Sequence, residues 1–207
     1  MEQEIKLSIK DEEKAAQIWE DLFQSEIVDK STAEKLVLKA VYFDTEDHLL
    51  SKNDIALRVR SEGETSFATL KWGGKAEGGL HQRNEVNIPI QGEEFFMQPP
   101  VDLFGESKEG VDLVELVGDR NLINLLEMRF LRSRIRLNYQ GSLIEASVDT
   151  GAIITDKGEC PICEIEFELF AGDISAITKL GEEFVEKYGL EPENESKFAR
   201  GIKLLAS

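Results

Sequence analysis

The chain has 207 residues, 41% of them hydrophobic and 31% charged, with a formal net charge of −17. That length fits one domain, residues 1–207, with a sizeable core. The charge excludes a broad basic face for nucleic acid, although a local cluster of Arg and Lys can still hold a compact polyanion in a low-dielectric cavity. No apolar run approaches the roughly 20 residues of a membrane helix, and the acidic start Met1-Glu2-Gln3-Glu4 lacks a signal-peptide pattern, so a cytoplasmic protein with no membrane partner is expected.

In chain order, residues 2–9 alternate as a strand. Residues 11–24 carry a helical apolar face with Ala15, Ile18 and Leu22, flanked by Trp19 and Phe23. Strands are predicted at 39–45, 55–62, 66–72 and 82–90, with Gly73-Gly74 and Gly78-Gly79 bracketing a hairpin loop between the last two. Residues 91–118 are irregular, include Pro99-Pro100, and read as a long insertion or lid. A short helix is predicted at 119–127 and strands at 130–140, 142–150 and 162–170, the first two joined at Gly141. Asp173 is the expected N-cap of a helix over 173–188, and a last helix covers 196–205. Cys160-Pro-Ile-Cys163 has no second Cys/His pair to complete a structural zinc site and reads as a reduced pair at the entrance to a strand.

The polar faces of the strands are unusual. A period of two puts Glu2, Glu4 and Lys6 on one face and Ile5, Leu7 and Ile9 on the other. By the same rule Arg58 and Arg60 share a face, as do Arg83 and Glu85, and Arg132, Arg134 and Arg136. Lys71 opposes Leu70 and Trp72, and Glu164, Glu166 and Glu168 oppose Ile165, Phe167 and Leu169. Any single strand of this kind is ordinarily a solvated face. As a set they differ in two ways. Arg, whose planar fork suits phosphate oxygens, dominates the charged faces. The three carboxylates also sit roughly 7 Å apart and repel unless a cation neutralises them. The economical arrangement is an α+β fold in which eight mostly antiparallel strands close into a β-barrel. Its charged faces line a wet tunnel, and its apolar faces are covered by helices outside. Carboxylates would hold a hard divalent cation and guanidinium groups a polyanion, and a metal-bound triphosphate needs both.

Glu2-x-Glu4-x-Lys6 resembles the N-terminal signature of CYTH domains, the triphosphate tunnel metalloenzymes. Further matches follow in the family's order: Tyr42-Phe43-Asp44-Thr45, Leu57-Arg58-Val59-Arg60, Thr69-Leu70-Lys71, Gly78-Gly79-Leu80-His81-Gln82-Arg83-x-Glu85, Val148-Asp149-x-Gly151, Cys163-Glu164-x-Glu166-x-Glu168 and Ser196-Lys197-x-Ala199-Arg200-Gly201. The Gly-Gly-Leu-His-Gln-Arg and Pro-Ile-Cys-Glu stretches are most similar to bacterial inorganic triphosphatases. Many of these carry a His-rich helical CHAD domain after the CYTH domain. This chain ends at Ser207 with two histidines, so any CHAD contribution is expected to be absent or supplied in trans. In the thiamine triphosphatase branch an aromatic residue precedes the Arg-x-Arg pair; Ala56 stands there in this chain, which argues against a thiamine pocket.

The resemblance implies hydrolysis of a triphosphate, foremost inorganic tripolyphosphate to pyrophosphate and phosphate, with Mg²⁺ or Mn²⁺. Glu2, Glu4, Glu164 and Glu166 are the implied metal ligands, and Glu168 is either a fifth or an ion-pair partner. Lys6, Arg58, Arg60, Lys71, Arg83, Arg132 and Arg134 would clamp phosphates. Lys197 and Arg200 would join them from a C-terminal helix closing one tunnel end. Arg136, expected deeper in the tunnel, is as readily a salt bridge. Glu85 and Asp149 would orient the basic groups or the metal ligands, and Tyr42 and Asp44 would do the same or simply pack. Glu4, Glu166 and Lys6 form the implied catalytic set; which glutamate accepts the water's proton stays open. His48 reads as exposed, and His81 as positioning a substrate loop. The same clamp would serve an adenylate cyclase, a nucleotide or thiamine triphosphatase, or a polyphosphate- or nucleotide-binding module without turnover. A binding module would not need the carboxylates.

Overall fold

The computed structural model describes residues 1–106 and 108–207. Eight strands form the barrel: β1 (Glu2–Ser8), β2 (Val28–Thr45), β3 (Ile55–Glu62), β4 (Thr65–Glu77), β5 (Leu80–Ile90), β6 (Leu122–Tyr139), β7 (Ser142–Thr155) and β8 (Gly158–Ala171). They run antiparallel in the order β5-β4-β3-β2-β6-β7-β8-β1. Pairing of β1 with β5, Glu2 opposite Arg83 and Glu4 opposite His81, closes the ring. A two-residue strand β9 (Glu191–Pro192) continues along the same edge of β1. Gly79 makes this junction possible: its φ is +82°, and a Cβ there would lie 2.7 Å from the Lys6 carbonyl oxygen.

Helix α1 (Glu12–Gln24) is capped by Asp11, whose carboxylate accepts from the Lys14 N–H. Helix α4 (Ile174–Tyr188) is capped as expected by Asp173. Both lay their apolar faces on the outer side of β1, β6, β7 and β8, around Ile5, Leu7, Ile135, Ile165 and Phe167. Trp19 packs on this core, and Trp72 packs on the second one, which carries Val41, Phe43, Leu57, Val59 and Leu70 beneath Leu50, Phe104, Leu113 and Val117. Leu50 belongs to the single-turn helix α2 (Leu49–Lys52), and Leu113 and Val117 to α3 (Lys108–Val117). Phe167 is fully buried and meets Phe184 edge-on with centroids 4.8 Å apart. Phe167→Ala is expected to lower unfolding stability by about 3–5 kcal/mol, read by urea denaturation. A loss below about 1 kcal/mol would show that this contact is not a central part of the core.

Several local expectations change: β7 and β8 extend to Thr155 and back to Gly158, so the cysteine pair lies inside β8 rather than at a strand entrance. Residues 119–127 hold no helix: β6 begins at Leu122. The apolar spacing of Leu122, Ile123, Leu125 and Leu126 imitates a helix, but Leu122 pairs with Thr45, and Leu125 is the extra residue of a bulge. β2 starts at Val28, because its polar first half pairs with β6 rather than with solvent. Strand β4 continues through Gly73-Gly74 as a register shift, leaving only Gly78-Gly79 as the turn. Within 91–118 the described residues form 3₁₀ turns at Glu93–Phe96 and Val101–Glu106 and then α3, which covers the barrel wall. Among the described residues no helix is long and apolar enough to cross a membrane. Both cysteines are free on β8; burial, with Glu12 and Asp11 nearby, pushes the Cys163 thiol up to about 11.

Candidate active site

Helix α5 (Lys197–Ala206) enters one end of the barrel, capped by Ser196, whose hydroxyl accepts from the Ala199 N–H. Gly201 lets it approach: a Cβ there would lie 2.5 Å from Leu126 Cδ2. Around α5 the barrel interior is apolar, with Ala40, Ala56, Met128, Phe130 and Phe198, and Phe198 stacks on Tyr42 at 4.9 Å. The charged interior begins beyond this plug. There a cavity of about 270 Å³ is lined by Glu2, Glu4, Lys6, Arg58, Arg60, Lys71, Arg83, Glu85, Arg132, Arg134, Glu166, Glu168 and Lys197. Register explains the convergence: on adjoining strands Glu4 faces Glu168 and Lys6 faces Glu166.

Lys6 is the central cation. Its ammonium, 1% exposed, lies 2.9 Å from Glu166, 3.3 Å from Glu4 and 3.7 Å from Glu164. Burial alone would lower its pKa; these carboxylates hold it well above the ordinary lysine range. Glu2 receives Lys71 at 2.9 Å and Arg83 at 2.9 Å, and the two cations outweigh burial to keep its carboxyl far below the usual range. Arg132 grips Asp149 through Nε and Nη2 at 2.7 and 2.6 Å and reaches Glu166 at 2.5 Å.

Two parts of the wall are not balanced in this way. On β3, Arg58 is buried and makes no ion pair among the described residues; it donates to Tyr42 Oη at 3.4 Å and to Thr69 Oγ1 at 3.3 Å. Beside it Arg60 pairs with Glu62, yet burial together with Arg58 and Arg132 pushes its guanidinium down to about 10. The Nε atoms of Arg58 and Arg60 are buried with no hydrogen-bond partner among the described residues. Across the barrel the imbalance is negative. Burial, then Glu2 and Glu4, push the Glu168 carboxyl up to about 8, and Glu168 has no cation within ion-pair distance among the described residues, whereas Glu4 Oε1 has Lys6 at 3.3 Å and Arg83 at 3.6 Å. Crowded cations with orphaned donors call for an anion, and crowded carboxylates with one left uncompensated call for a cation.

The sequence model of the CYTH domain matches residues 1–202. The chain belongs to the CYTH domain family. It is 33% identical over 175 residues to the inorganic triphosphatase of Haemophilus influenzae, covering 83% of this chain and 47% of that protein. The chain thus spans about half the length of this curated relative. Among solved structures it is similar to a Hippeastrum protein described as an adenylyl cyclase candidate with a dominant triphosphatase activity. The two share 20% identity at a TM-score of 0.71, covering 98% of this chain and 96% of that one. A Bacillus halodurans protein described as an adenylate cyclase candidate shares 22% identity at a TM-score of 0.60, covering 97% and 98%. At such identities these structures bear on the fold alone.

In this CYTH domain several predicted residues sit differently from expectation. Glu164 and Asp149 are fully buried behind the cavity wall, and Arg200 closes over Glu164 from α5. Lys197 binds three carboxylates at once: Glu164, Asp149 at 2.8 Å and Glu166 at 2.9 Å. The carboxylates of Asp149, Glu164 and Glu166 lie within 4.8 Å of one another, a spacing that fits a metal ion, and the Lys197 ammonium holds them. Arg134 turns to Glu34, Glu62 and Glu145 rather than into open space. Arg136 is not deep: its side chain is half exposed at the open mouth. Glu85 holds Lys71. Asp44 lies outside the cavity, where its carboxylate caps α2 through Leu50 N at 2.8 Å and Ser51 N at 3.0 Å. His81 is buried against the Glu193 carbonyl at 2.7 Å, tying β5 to the segment before α5 rather than lining the cavity. His48 is exposed. Sequence reasoning missed Thr69, Asn87 and Phe198. The Thr69 hydroxyl donates a hydrogen bond to Asn87 Oδ1 at 2.6 Å while accepting one from Arg58. Thr69 and Asn87 have the parity of Lys71 and Glu85, which is the signal that would have found them.

Proposed function

We propose that this CYTH domain is a metal-dependent triphosphatase acting on inorganic tripolyphosphate, which it cleaves to pyrophosphate and phosphate. One observation carries the reading. A single cavity holds crowded guanidinium groups with orphaned donors on one wall and, on the other, crowded carboxylates of which Glu168 has no cation within ion-pair distance among the described residues. A triphosphate with its divalent cation relieves both. The Haemophilus relative, named an inorganic triphosphatase, supports the same substrate class.

Glu2, Glu4 and Glu168, with Glu166 beside Lys6, are the residues that fit Mg²⁺ or Mn²⁺: oxygen donors only, facing one cavity. A divalent cation, when bound, would screen phosphate charge and polarise the attacking water. Arg58, Arg60, Lys71, Arg83 and Lys197 would bind phosphoryl oxygens and align the chain, and Lys6 would neutralise charge that develops between Glu4 and Glu166. Asp149 and Glu85 would fix Arg132 and Lys71 in the orientation this needs. Glu4, which lines the cavity with its Oε1 3.3 Å from the Lys6 ammonium, is the acceptor assigned to the water's proton.

The test is incubation with tripolyphosphate, ATP, thiamine triphosphate and pyrophosphate, each with Mg²⁺, Mn²⁺ or EDTA. Tripolyphosphate is expected to yield pyrophosphate and phosphate in equal amounts, with metal and not with EDTA. Absence of metal-dependent turnover of any triphosphate would refute the hydrolase, tight binding without turnover would make the domain a binding module, and cyclic AMP from ATP would make it a cyclase.

A further inference from the structure

Cations line the cavity in two ways. Lys6, Lys71, Arg83, Arg132 and Lys197 each touch at least one carboxylate. Arg58 touches none among the described residues, yet it is only 7% exposed. The register shows what it has instead. Tyr42, Arg58, Thr69 and Asn87 stand directly opposite one another on β2, β3, β4 and β5, one row across four strands. Tyr42, Arg58 and Asn87 line the cavity, and Thr69 lies between the last two, fully buried. Side chains directly opposite on neighbouring strands are close enough to bond. Arg58 donates through Nη1 to Tyr42 Oη at 3.4 Å and through Nη2 to Thr69 Oγ1 at 3.3 Å.

The direction of the Thr69 bond is set by the neighbouring row. Glu85 stands opposite Lys71 and pairs with it. A carboxylate only accepts, so the Asn87 amide turns its NH₂ to Glu85 and its Oδ1 to Thr69. Oδ1 accepts from the Thr69 hydroxyl at 2.6 Å, which leaves that hydroxyl only lone pairs to present to Arg58. A carboxylate in the same place would hold the guanidinium too, but it would neutralise it, as Asp149 does to Arg132.

We propose that Thr69, itself oriented by Asn87, is a positioning residue that aims the Arg58 guanidinium at a phosphoryl group of the bound chain. This rests on the triphosphate reading above and deepens it, by naming the neutral groups that make one residue of the clamp effective. A guanidinium meets phosphate oxygens with a planar fork, so its orientation matters more than that of a point charge. A hydroxyl carried on a strand fixes that orientation and, being neutral, leaves the full charge of Arg58 to the polyanion.

The experiment is a double-mutant cycle. Kd for tripolyphosphate, by calorimetry in EDTA, and kcat/KM with metal are measured for Thr69→Val, Thr69→Ser and Asn87→Ala, each with Arg58 present and in an Arg58→Ala background. Val keeps the branched shape of Thr on the strand and removes the hydroxyl. Thr69→Val should weaken Kd and lower kcat/KM about tenfold each, the order of one lost hydrogen bond to a charged group. Thr69→Ser, which restores the hydroxyl, should recover most of that loss. Asn87→Ala should cost about threefold, because Thr69 keeps its hydroxyl and loses its direction. In the Arg58→Ala background the losses in Thr69→Val and Asn87→Ala should shrink to within about twofold, since a residue acting only through Arg58 has nothing left to act on. An undiminished loss in that background would make the role of Thr69 structural and overturn the proposal, as would wild-type Kd and kcat/KM in Thr69→Val. Should Thr69→Val not fold, Asn87→Ala decides, because Asn87 is exposed: no loss there, or an equal loss without Arg58, overturns the proposal. Absence of turnover in every protein, with the cycle intact in Kd, would remove the hydrolase reading and leave the positioning role standing.

Discussion

Glu4→Gln is expected to lower kcat for tripolyphosphate by about 10³-fold while leaving the fold intact, the order of loss when a charged group serving the reacting centre is removed. Glu4 is 4% exposed, its Oε1 lies 3.3 Å from the Lys6 ammonium, and it faces Glu168 across the β1–β8 ladder. Gln preserves shape and one acceptor but removes the charge that the proposed cation and the attacking water both need. Mn²⁺ affinity, measured by titration without substrate, should fall about 10- to 100-fold in the same variant. Folding should tolerate the change, because Lys6 keeps Glu166 at 2.9 Å. Circular dichroism and urea unfolding check that point. Wild-type activity in Glu4→Gln would take Glu4 out of the catalytic set and leave Glu166 to serve there.

Lys197→Met is expected to lower unfolding stability by about 3–5 kcal/mol at neutral pH, because it strands buried carboxylates without their cation. The ammonium of Lys197 sits among Asp149, Glu164 and Glu166, the first two fully buried. Met keeps the volume against Phe130 and loses only the charge. The effect has a pH signature. Burial by itself would raise the Glu166 carboxyl, but Lys197, Lys6 and Arg132 hold it well below 4.5, and Arg132 and Lys197 hold Asp149 below 3.8 in the same way. A carboxyl depressed in the folded state contributes stability above its unfolded pKa and loses it as the pH falls through the folded value. Lys197→Met removes much of that contribution, so wild type and variant should differ most above pH 4.5 and converge as the pH drops below it. Urea midpoints at pH 7 and pH 4 read this directly. An equal deficit at both would mean that Lys197 stabilises by packing rather than by charge.

That second substitution also marks where reading the sequence stopped. Alternation placed Glu164, Glu166 and Glu168 on one face, and all three do share it. Their fates nevertheless diverge: Glu164 is sealed by Lys197 and Arg200, Glu166 is neutralised by Lys6, Arg132 and Lys197, and Glu168 has no cation within ion-pair distance among the described residues. Period says which way a side chain points and nothing about what it meets. Arg134 teaches the same lesson with the opposite sign, since its parity matches Arg132 but Glu34, Glu62 and Glu145 surround it. Asp44 has the parity of Tyr42 and still leaves the cavity, because it lies at the end of β2 against α2.

The sequence by itself determined the two faces of each strand, the cap of α4 at Asp173, and the mixed charge of one face of the barrel wall. These are local properties, set by a period of two and by short-range hydrogen bonds. Only the tertiary structure decided that Leu122 begins a strand, that Phe198 of α5 stacks on Tyr42 inside the barrel, and which charges remain uncompensated. Closure of β1 onto β5 and β8 brings Glu2, Arg83 and Glu166 together from sites 81 residues apart and more. The charge balance at each group is a sum over neighbours from several strands, and a single strand carries no record of them.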